Sequence, residues 1–340
     1  MNSFFLALIL IVPAVATAAE PPFTWTNPLP FQYTEGQTEA RREVRDPCII
    51  RDGDTWYLVH TMWPFANREE KKLELPNNGS SPGIALYQSK DLKDWSFVNW
   101  LVKSSDLPEN SPYKHRFWAP EIHKLNGKFH LVFTADNWLK KEVNPHREFA
   151  SAGWAFVGVA DKITGPYQHI TGIPDGACDT TLFADDKGST FAVMPKHDLF
   201  IRPIDLTGLD KGVVRWLGPE KKILNCDSSD TDLTLSPAYL EGPWVEKIGA
   251  RYHLFYAELF KEGGYWTGVA SADSPLGPWI KDRRGKIFPG GHLAVFDGPD
   301  GRKWVSYRIE HRNESRGLLA IDPVEVDAAG KVRVLGPSPE

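Results

Sequence analysis

Asn126-Gly127-Lys128-Phe129-His130-Leu131-Val132-Phe133 is a tight, Gly-containing turn feeding a run of aromatic and β-branched residues. An Asn-Gly pair accepts the positive φ angles of a two-residue hairpin turn, so the stretch predicts a β-hairpin and not a helix. The design recurs four more times. Arg51-Asp52-Gly53-Asp54 precedes a strand run from Thr55 to His60, and Asp185-Asp186-Lys187-Gly188 precedes Thr190 to Val193. Ile248-Gly249-Ala250 precedes Tyr252 to Tyr256, and Asp297-Gly298-Pro299-Asp300-Gly301 precedes Lys303 to Tyr307. Each hairpin is followed by a third-strand candidate, at 83–89, 155–161, 197–203, 266–272 and 317–323, and then by a turn. No long stretch places apolar residues at helical spacing. Five units of four strands, each roughly 50–70 residues, predict an all-β fold: a five-bladed β-propeller with four antiparallel strands per blade.

Composition agrees with one large domain. Of 340 residues, 41% are apolar and 12% aromatic, which excludes wholesale disorder. The 39 Lys and Arg against 44 Asp and Glu leave a net charge of −5, with no basic footprint for nucleic acid. The 28 Gly and 27 Pro are turn punctuation, and the 13 Trp point to an aromatic interior or binding face. Cys48, Cys178 and Cys226 are odd in number and match no zinc spacing, so they read as small buried apolar residues. At the start, the apolar run from Phe4 to Val15 followed by Ala16-Thr17-Ala18 is expected to be a signal peptide over 1–18, despite an n-region without Lys or Arg. It would send a single domain, 19–340, to the periplasm or outside the cell. No later stretch approaches 18 apolar residues, so no membrane association is expected of the mature chain, and the expected state is a monomer.

Blades around a channel bring the starts of their innermost strands together on one axial face. Four of these starts carry an acid: Asp46 in Arg45-Asp46-Pro47, Glu121 in Trp118-Ala119-Pro120-Glu121, Asp179 in Cys178-Asp179-Thr180, and Glu241 in Leu240-Glu241-Gly242-Pro243. The fifth reads Gly290-Gly291-His292. One acid beside Pro or Gly is usually a solvated turn cap, but four at corresponding places predict a shared axial pocket. Such a cluster suits glycosidic hydrolysis: one carboxylic acid with a raised pKa protonates the leaving oxygen, while a carboxylate activates water or attacks the anomeric carbon. A third carboxylate keeps the acid protonated by repulsion. Neither a Gly-x-Ser-x-Gly elbow, a His-Glu-x-x-His motif nor a phosphate loop is present.

From about Val44 to Val334 these motifs, with Leu182-Phe183-Ala184-Asp185-Asp186-Lys187-Gly188 and Ile321-Asp322-Pro323, make the chain resemble glycoside hydrolase family 43. The resemblance implies a five-bladed propeller that hydrolyses with inversion. Asp46 would be the general base, Glu241 the general acid, and Asp179 the residue that tunes and orients that acid. His292 would contact an axial calcium ion or water cluster, and Arg316 would reach the bound sugar. No cofactor is implied, and calcium would be structural at most. Two departures stand out: Thr180 follows Asp179 where Pro is common, and Arg308 follows Tyr307 where His is common. Glu121 matches no catalytic role, leaving a structural hydrogen bond near the axis or a substrate contact. Trp63, Trp118 and Trp244 are candidate sugar platforms or inter-blade core.

Polar insertions between Trp63 and Gly83 and from Asn137 to Ser151 would wall the pocket and favour attack on chain ends. The expected substrate is an oligo- or polysaccharide, and the expected activity that of an exo-acting α-L-arabinofuranosidase or β-xylosidase, with galactofuranosides and galactan also open. The alternatives are a retaining fructan or sucrose hydrolase, whose Asn-Asp-Pro and Glu-Cys sequences are missing here, and a silent carbohydrate-binding propeller.

Overall fold

A computed structural model describes residues 23–35, 43–63, 81–137, 140, 154–226, 237–260, 265–282, 287–310 and 317–336. The leader, Arg316 and most of both insertions lie outside these residues, as does the side chain of Trp63. Each Gly-containing turn closes a hairpin. Asn126 and Gly127 take φ values of +51° and +80°, the paired left-handed residues that match a hairpin's twist.

The first blade comprises β1 (Glu43–Asp52), β2 (Thr55–Trp63), β3 (Gly83–Ser89) and β4 (Ser96–Lys103). The second comprises β5 (His115–Leu125), β6 (Lys128–Asp136), β7 (Trp154–Ala160) and β8 (Gln168–Gly172). In the third, β9 (Thr181–Ala184), β10 (Thr190–Lys196) and β11 (Asp198–Asp205) are flanked by two short outer strands, β12 (Arg215–Trp216) and β13 (Lys221–Leu224). The fourth has β14 (Pro237–Ile248), β15 (Arg251–Phe260) and β16 (Tyr265–Ala272), its outer position likewise divided between β17 (Ile280–Lys281) and β18 (Phe288–Pro289). The fifth is β19 (Gly291–Asp297), β20 (Lys303–Glu310), β21 (Gly317–Val326) and β22 (Val332–Val334). All pairings are antiparallel, and β1, β5, β9, β14 and β19 touch in succession to close a ring. The five-bladed propeller expected from the hairpins is therefore the fold.

Two devices hold the ring shut. A strap at the N-terminal side lays Leu29, Phe31 and Tyr33 into a core shared by the first blade (Ile49, Trp56, Leu58) and the fifth (Trp304, Leu319, Ile321). Asn27, 1% exposed, fixes the strap: its Nδ2 donates to Ile321 O at 2.9 Å and to Asp322 Oδ2 at 3.1 Å, and its Oδ1 accepts from Ile321 N at 3.0 Å. At the far mouth of the channel, one polar contact bridges each pair of neighbouring blades. Lys124 meets Asp52 at 2.8 Å, Asn126 donates to Gly188 O at 3.0 Å, Lys247 pairs with Asp186, Lys303 meets Glu246 at 2.7 Å, and Arg51 donates to Gly298 O at 3.2 Å. Partly exposed pairs contribute about 0–1 kcal/mol each, so they set blade registry more than stability.

Candidate active site

The innermost strands share one local irregularity. Near the start of each stands a left-handed residue: Asp46 (φ +50°), Ala119 (+45°), Asp179 (+59°), Gly242 (+50°) and His292 (+51°). In four strands the pairing register breaks there, between Arg45 and Cys48, Trp118 and Glu121, Glu241 and Trp244, and Gly291 and Ala294. Such a bulge bends the strand and re-aims a side chain. At a non-glycine residue it costs on the order of 1–3 kcal/mol, a strain that clusters at functional sites. The repeated position thus holds Asp, Ala, Asp, Gly and His. Glu241 stands one residue before it and Glu121 two residues after it, so the four acids do not occupy one equivalent place. Sequence spacing alone does not resolve such a one-residue offset.

Three of the predicted residues meet at the axis. His292 Nδ1 lies 3.1 Å from Asp46 Oδ1 and 3.8 Å from Asp179 Oδ2. The other oxygen of Asp46 accepts from Thr61 Oγ1 at 2.6 Å. Asp179 is held through its backbone N–H, which donates to Thr134 Oγ1 at 3.0 Å, and its Oδ1 accepts from Cys178 Sγ at 3.2 Å. Gly242 makes room for this: a Cβ there would lie 2.6 Å from His292 Cγ. The neighbouring Gly291 is packed by the ring of Tyr265, 2.7 Å from where a Cβ would stand.

The electrostatics follow from this crowding. Burial opposes a charge on His292, but Asp46, Asp179, Glu241 and Glu121 outweigh it and push the imidazole up to about 9, so it is a cation at neutral pH. Burial, and then the charge of Asp179, push Glu241 up to about 7, while His292 and a hydrogen bond from Tyr265 pull the other way. Burial also raises Asp179, against the pull of His292 and with the help of Asp46. A carboxyl poised near neutrality beside ionisable neighbours is the pairing that acid–base hydrolysis needs.

The remaining candidates separate. Trp118 stands between two left-handed residues, Arg116 (φ +43°) and Ala119, with its ring 4.9 Å from the Arg116 guanidinium. That guanidinium is buried and bidentate to Asp136, its Nε donating to Oδ1 at 3.0 Å. Glu121 is buried and faces His123, its Oε2 2.8 Å from His123 Nε2. Trp244 is not at the carboxylate cluster. It stacks on His123, ring centres 4.9 Å apart, and both line a cavity of about 360 Å³ toward the opposite mouth. The alternation along β14 carries it away from Glu241, beyond the bulge. Arg308 sits across from Gly291 with its Nη2 3.7 Å from Glu43 Oε2. Of the cysteines, Cys48 and Cys226 are buried, and Cys178 is partly exposed.

His292 Nδ1 is turned to carboxylates, and the ring is protonated. Its Nε2 is buried without a hydrogen-bond partner among the described residues, where it would donate to a water or a sugar hydroxyl. Calcium takes six to eight oxygen ligands, and among the described residues no group of three His, Cys, Asp or Glu is arranged to hold a metal ion.

Sequence reasoning missed Thr61, Thr134 and Tyr265. The first two are ordinary strand threonines whose significance depends on the neighbouring blade. Tyr265 is marked only by its three-dimensional setting, a hydrogen bond to Glu241 and packing against Gly291.

Comparison with known proteins gives a coherent result. The sequence profile of glycosyl hydrolases family 43 matches residues 40–332. The chain is 26% identical over 278 residues to "Xylosidase/arabinosidase 43B" of Humicola insolens, covering 76% of this chain and 46% of that protein. It is 24% identical over 287 residues to the "Extracellular exo-alpha-(1->5)-L-arabinofuranosidase ArbA" of Cellvibrio japonicus, covering 77% of this chain and 73% of that one. The chain thus spans about half the length of the first relative and most of the second. Among solved structures, a thermostable family-43 glycoside hydrolase superposes with a TM-score of 0.66 at 22% identity, over 93% of this chain and 98% of the other, a likeness of fold.

Proposed function

We propose that this chain, which belongs to glycosyl hydrolase family 43 and is an O-glycoside hydrolase, removes terminal α-L-arabinofuranosyl or β-xylosyl residues with inversion of configuration. Asp46 is the general base, Glu241 the general acid, and Asp179 the residue that keeps that acid protonated. The observation that carries this assignment is Glu241, pushed up to about 7 by burial and by Asp179 beside the Asp46–His292 pair. In the forward step Glu241 gives its proton to the glycosidic oxygen as the bond to the anomeric carbon breaks. Asp46 takes a proton from the water that attacks the opposite face, so the acid ends as a carboxylate and the base as a carboxylic acid. The two carboxyl groups then exchange the proton with solvent. His292, its Nδ1 3.1 Å from Asp46 Oδ1, orients that carboxylate.

Trp118 is the sugar platform: its Arg116–Asp136 support fixes the ring beneath the strand start. Exo attack is supported by the polar insertions that follow Trp63 and Asn137 and by the likeness to the exo-acting arabinofuranosidase of Cellvibrio japonicus, and Arg316 is assigned as a further sugar contact from the sequence motif alone. Secretion is supported by the apolar leader and by relatives named as extracellular. No helix among the described residues is long and apolar enough to cross a membrane. Two carboxylates suffice for the reaction, so exhaustive chelation is expected to leave activity unchanged. Aryl glycosides of arabinofuranose, xylose and galactofuranose test the assignment. Glu241→Gln should abolish turnover of substrates with poor leaving groups and spare much of it for activated ones, whereas equal losses contradict the role of Glu241.

A further inference from the structure

Thr61 is buried on β2, across from Arg45, the residue that precedes the bulge at Asp46. Its Oγ1 has two partners: Asp46 Oδ2 at 2.6 Å and the backbone N–H of Ala119, in the next blade, at 2.7 Å. A backbone N–H can only donate, so at Ala119 the hydroxyl is the acceptor. The hydroxyl's single hydrogen is left free to donate to Asp46.

The same peg occurs one blade on. Thr134, across from Trp118 and therefore at the same register position, accepts the N–H of Asp179 at 3.0 Å. In the fourth and fifth blades that position holds Ala257, across from Glu241, and Arg308, across from Gly291. The hydroxyl is thus not a requirement of the fold at every blade. Thr61 is distinguished by touching both the neighbouring bulge and a carboxylate.

We infer that Thr61 is a positioning residue for the base: its hydroxyl, anchored to the next blade by the Ala119 N–H, donates to Oδ2 of Asp46 and holds that carboxylate turned with Oδ1 toward His292 and the axis. The inference rests on Asp46 being the base. The other charged or titratable groups that act on Asp46 are His292 from β19, Asp179 before β9, Glu241 of β14, Tyr265 of β16 and His60 of β2. All of them stay in place when only Thr61 is changed.

The test compares Thr61→Val, Thr61→Ser and Ser306→Ala, with melting temperature and the pH profile of kcat/KM measured for each. Ser306 is the control, a buried hydroxyl that joins the fifth blade to the first through Pro47 O at 2.7 Å and Ile49 N at 3.3 Å without touching a carboxylate. Thr61→Val should lower kcat by about 10- to 100-fold, the range for a lost hydrogen bond to a charged group, with KM nearly unchanged. Its acid limb should move up by about one pH unit, and Thr61→Ser should restore both. Ser306→Ala should lose melting temperature without moving the acid limb. A Thr61→Val profile that keeps the wild-type acid limb, with activity lost only in proportion to melting temperature, overturns the inference. If the valine variant does not fold, Thr61→Cys keeps the volume with a weaker donor and should give a smaller shift of the same sign; an unmoved limb there refutes the role equally. Asp46→Ala separates the two levels: full activity without that carboxylate would reject Asp46 as base, whatever Thr61 does.

Discussion

Replacing Asp179 by Asn removes one negative charge from beside Glu241 while keeping shape. The backbone tolerates the change, since φ at this position is +59° and Asn is among the residues that adopt the left-handed region readily. Burial, the larger reason that Glu241 stands at about 7, is untouched, so the acid does not return to its ordinary value of 4.5. The charge of Asp179 helps to raise Glu241, and its loss should lower the basic limb of kcat/KM by about one unit. With the limb at 7 about half the enzyme carries the proton at pH 7; with the limb at 6 about a tenth does. The expected result is roughly a fivefold deficit at pH 7 that shrinks toward pH 5, over any constant loss from misorientation of the acid. The assay is kcat/KM from pH 4 to 9 on a glycoside with a poor leaving group. A basic limb that stays near 7 in the variant, or rises, refutes the claim that Asp179 keeps Glu241 protonated.

Other consequences are as direct. Glu241 titrates at about 7 in the fold against an ordinary 4.5, so the fold holds a proton that the unfolded chain has released. Stability therefore falls as pH rises from 4.5 through 7, by about 3 kcal/mol in all, and Glu241→Gln should recover that amount at pH 8 and nothing at pH 4. Thermal melts at the two pH values check this, and equal effects at both would contradict it. Gly242→Ala places a Cβ 2.6 Å from His292 Cγ on backbone at φ +50°, so a loss of several degrees in Tm and of most activity is expected; a variant that melts and turns over normally would show that His292 is free to move. Asn27→Ala breaks three buried hydrogen bonds of the strap and should cost about 2–4 kcal/mol in denaturant unfolding, with kcat at low temperature little changed.

The five hairpins were legible because the turn at Asn126-Gly127 and the apolar runs around it are local signals that no tertiary context overrides. The outer edges of the third and fourth blades were less so, because β12, β13, β17 and β18 are two to four residues long and defined by their partners alone. Asp46, Asp179 and His292 could be named from their settings, and they converge within hydrogen-bonding or near-contact range. Their common bulge could not be read, since one extra residue in a strand leaves no compositional trace; hence Glu241 and Glu121 looked equivalent to Asp46 when they are offset from it. Trp244 was ambiguous between platform and core, and only the alternation of β14 past the bulge decides that it stacks on His123. The strap at Asn27 and the peg at Thr61 bind residues far away in sequence, Ile321 and Ala119, and no spacing rule reaches that far.

The central claim is that Asp46 activates water for a single displacement, assisted by Glu241. Proton NMR of the first-formed anomer, recorded on an arabinofuranosyl or xylosyl substrate before mutarotation, tests it most directly. The account predicts a product of inverted configuration that then equilibrates. A first product of retained configuration would make Asp46 or another carboxylate a nucleophile and contradict it.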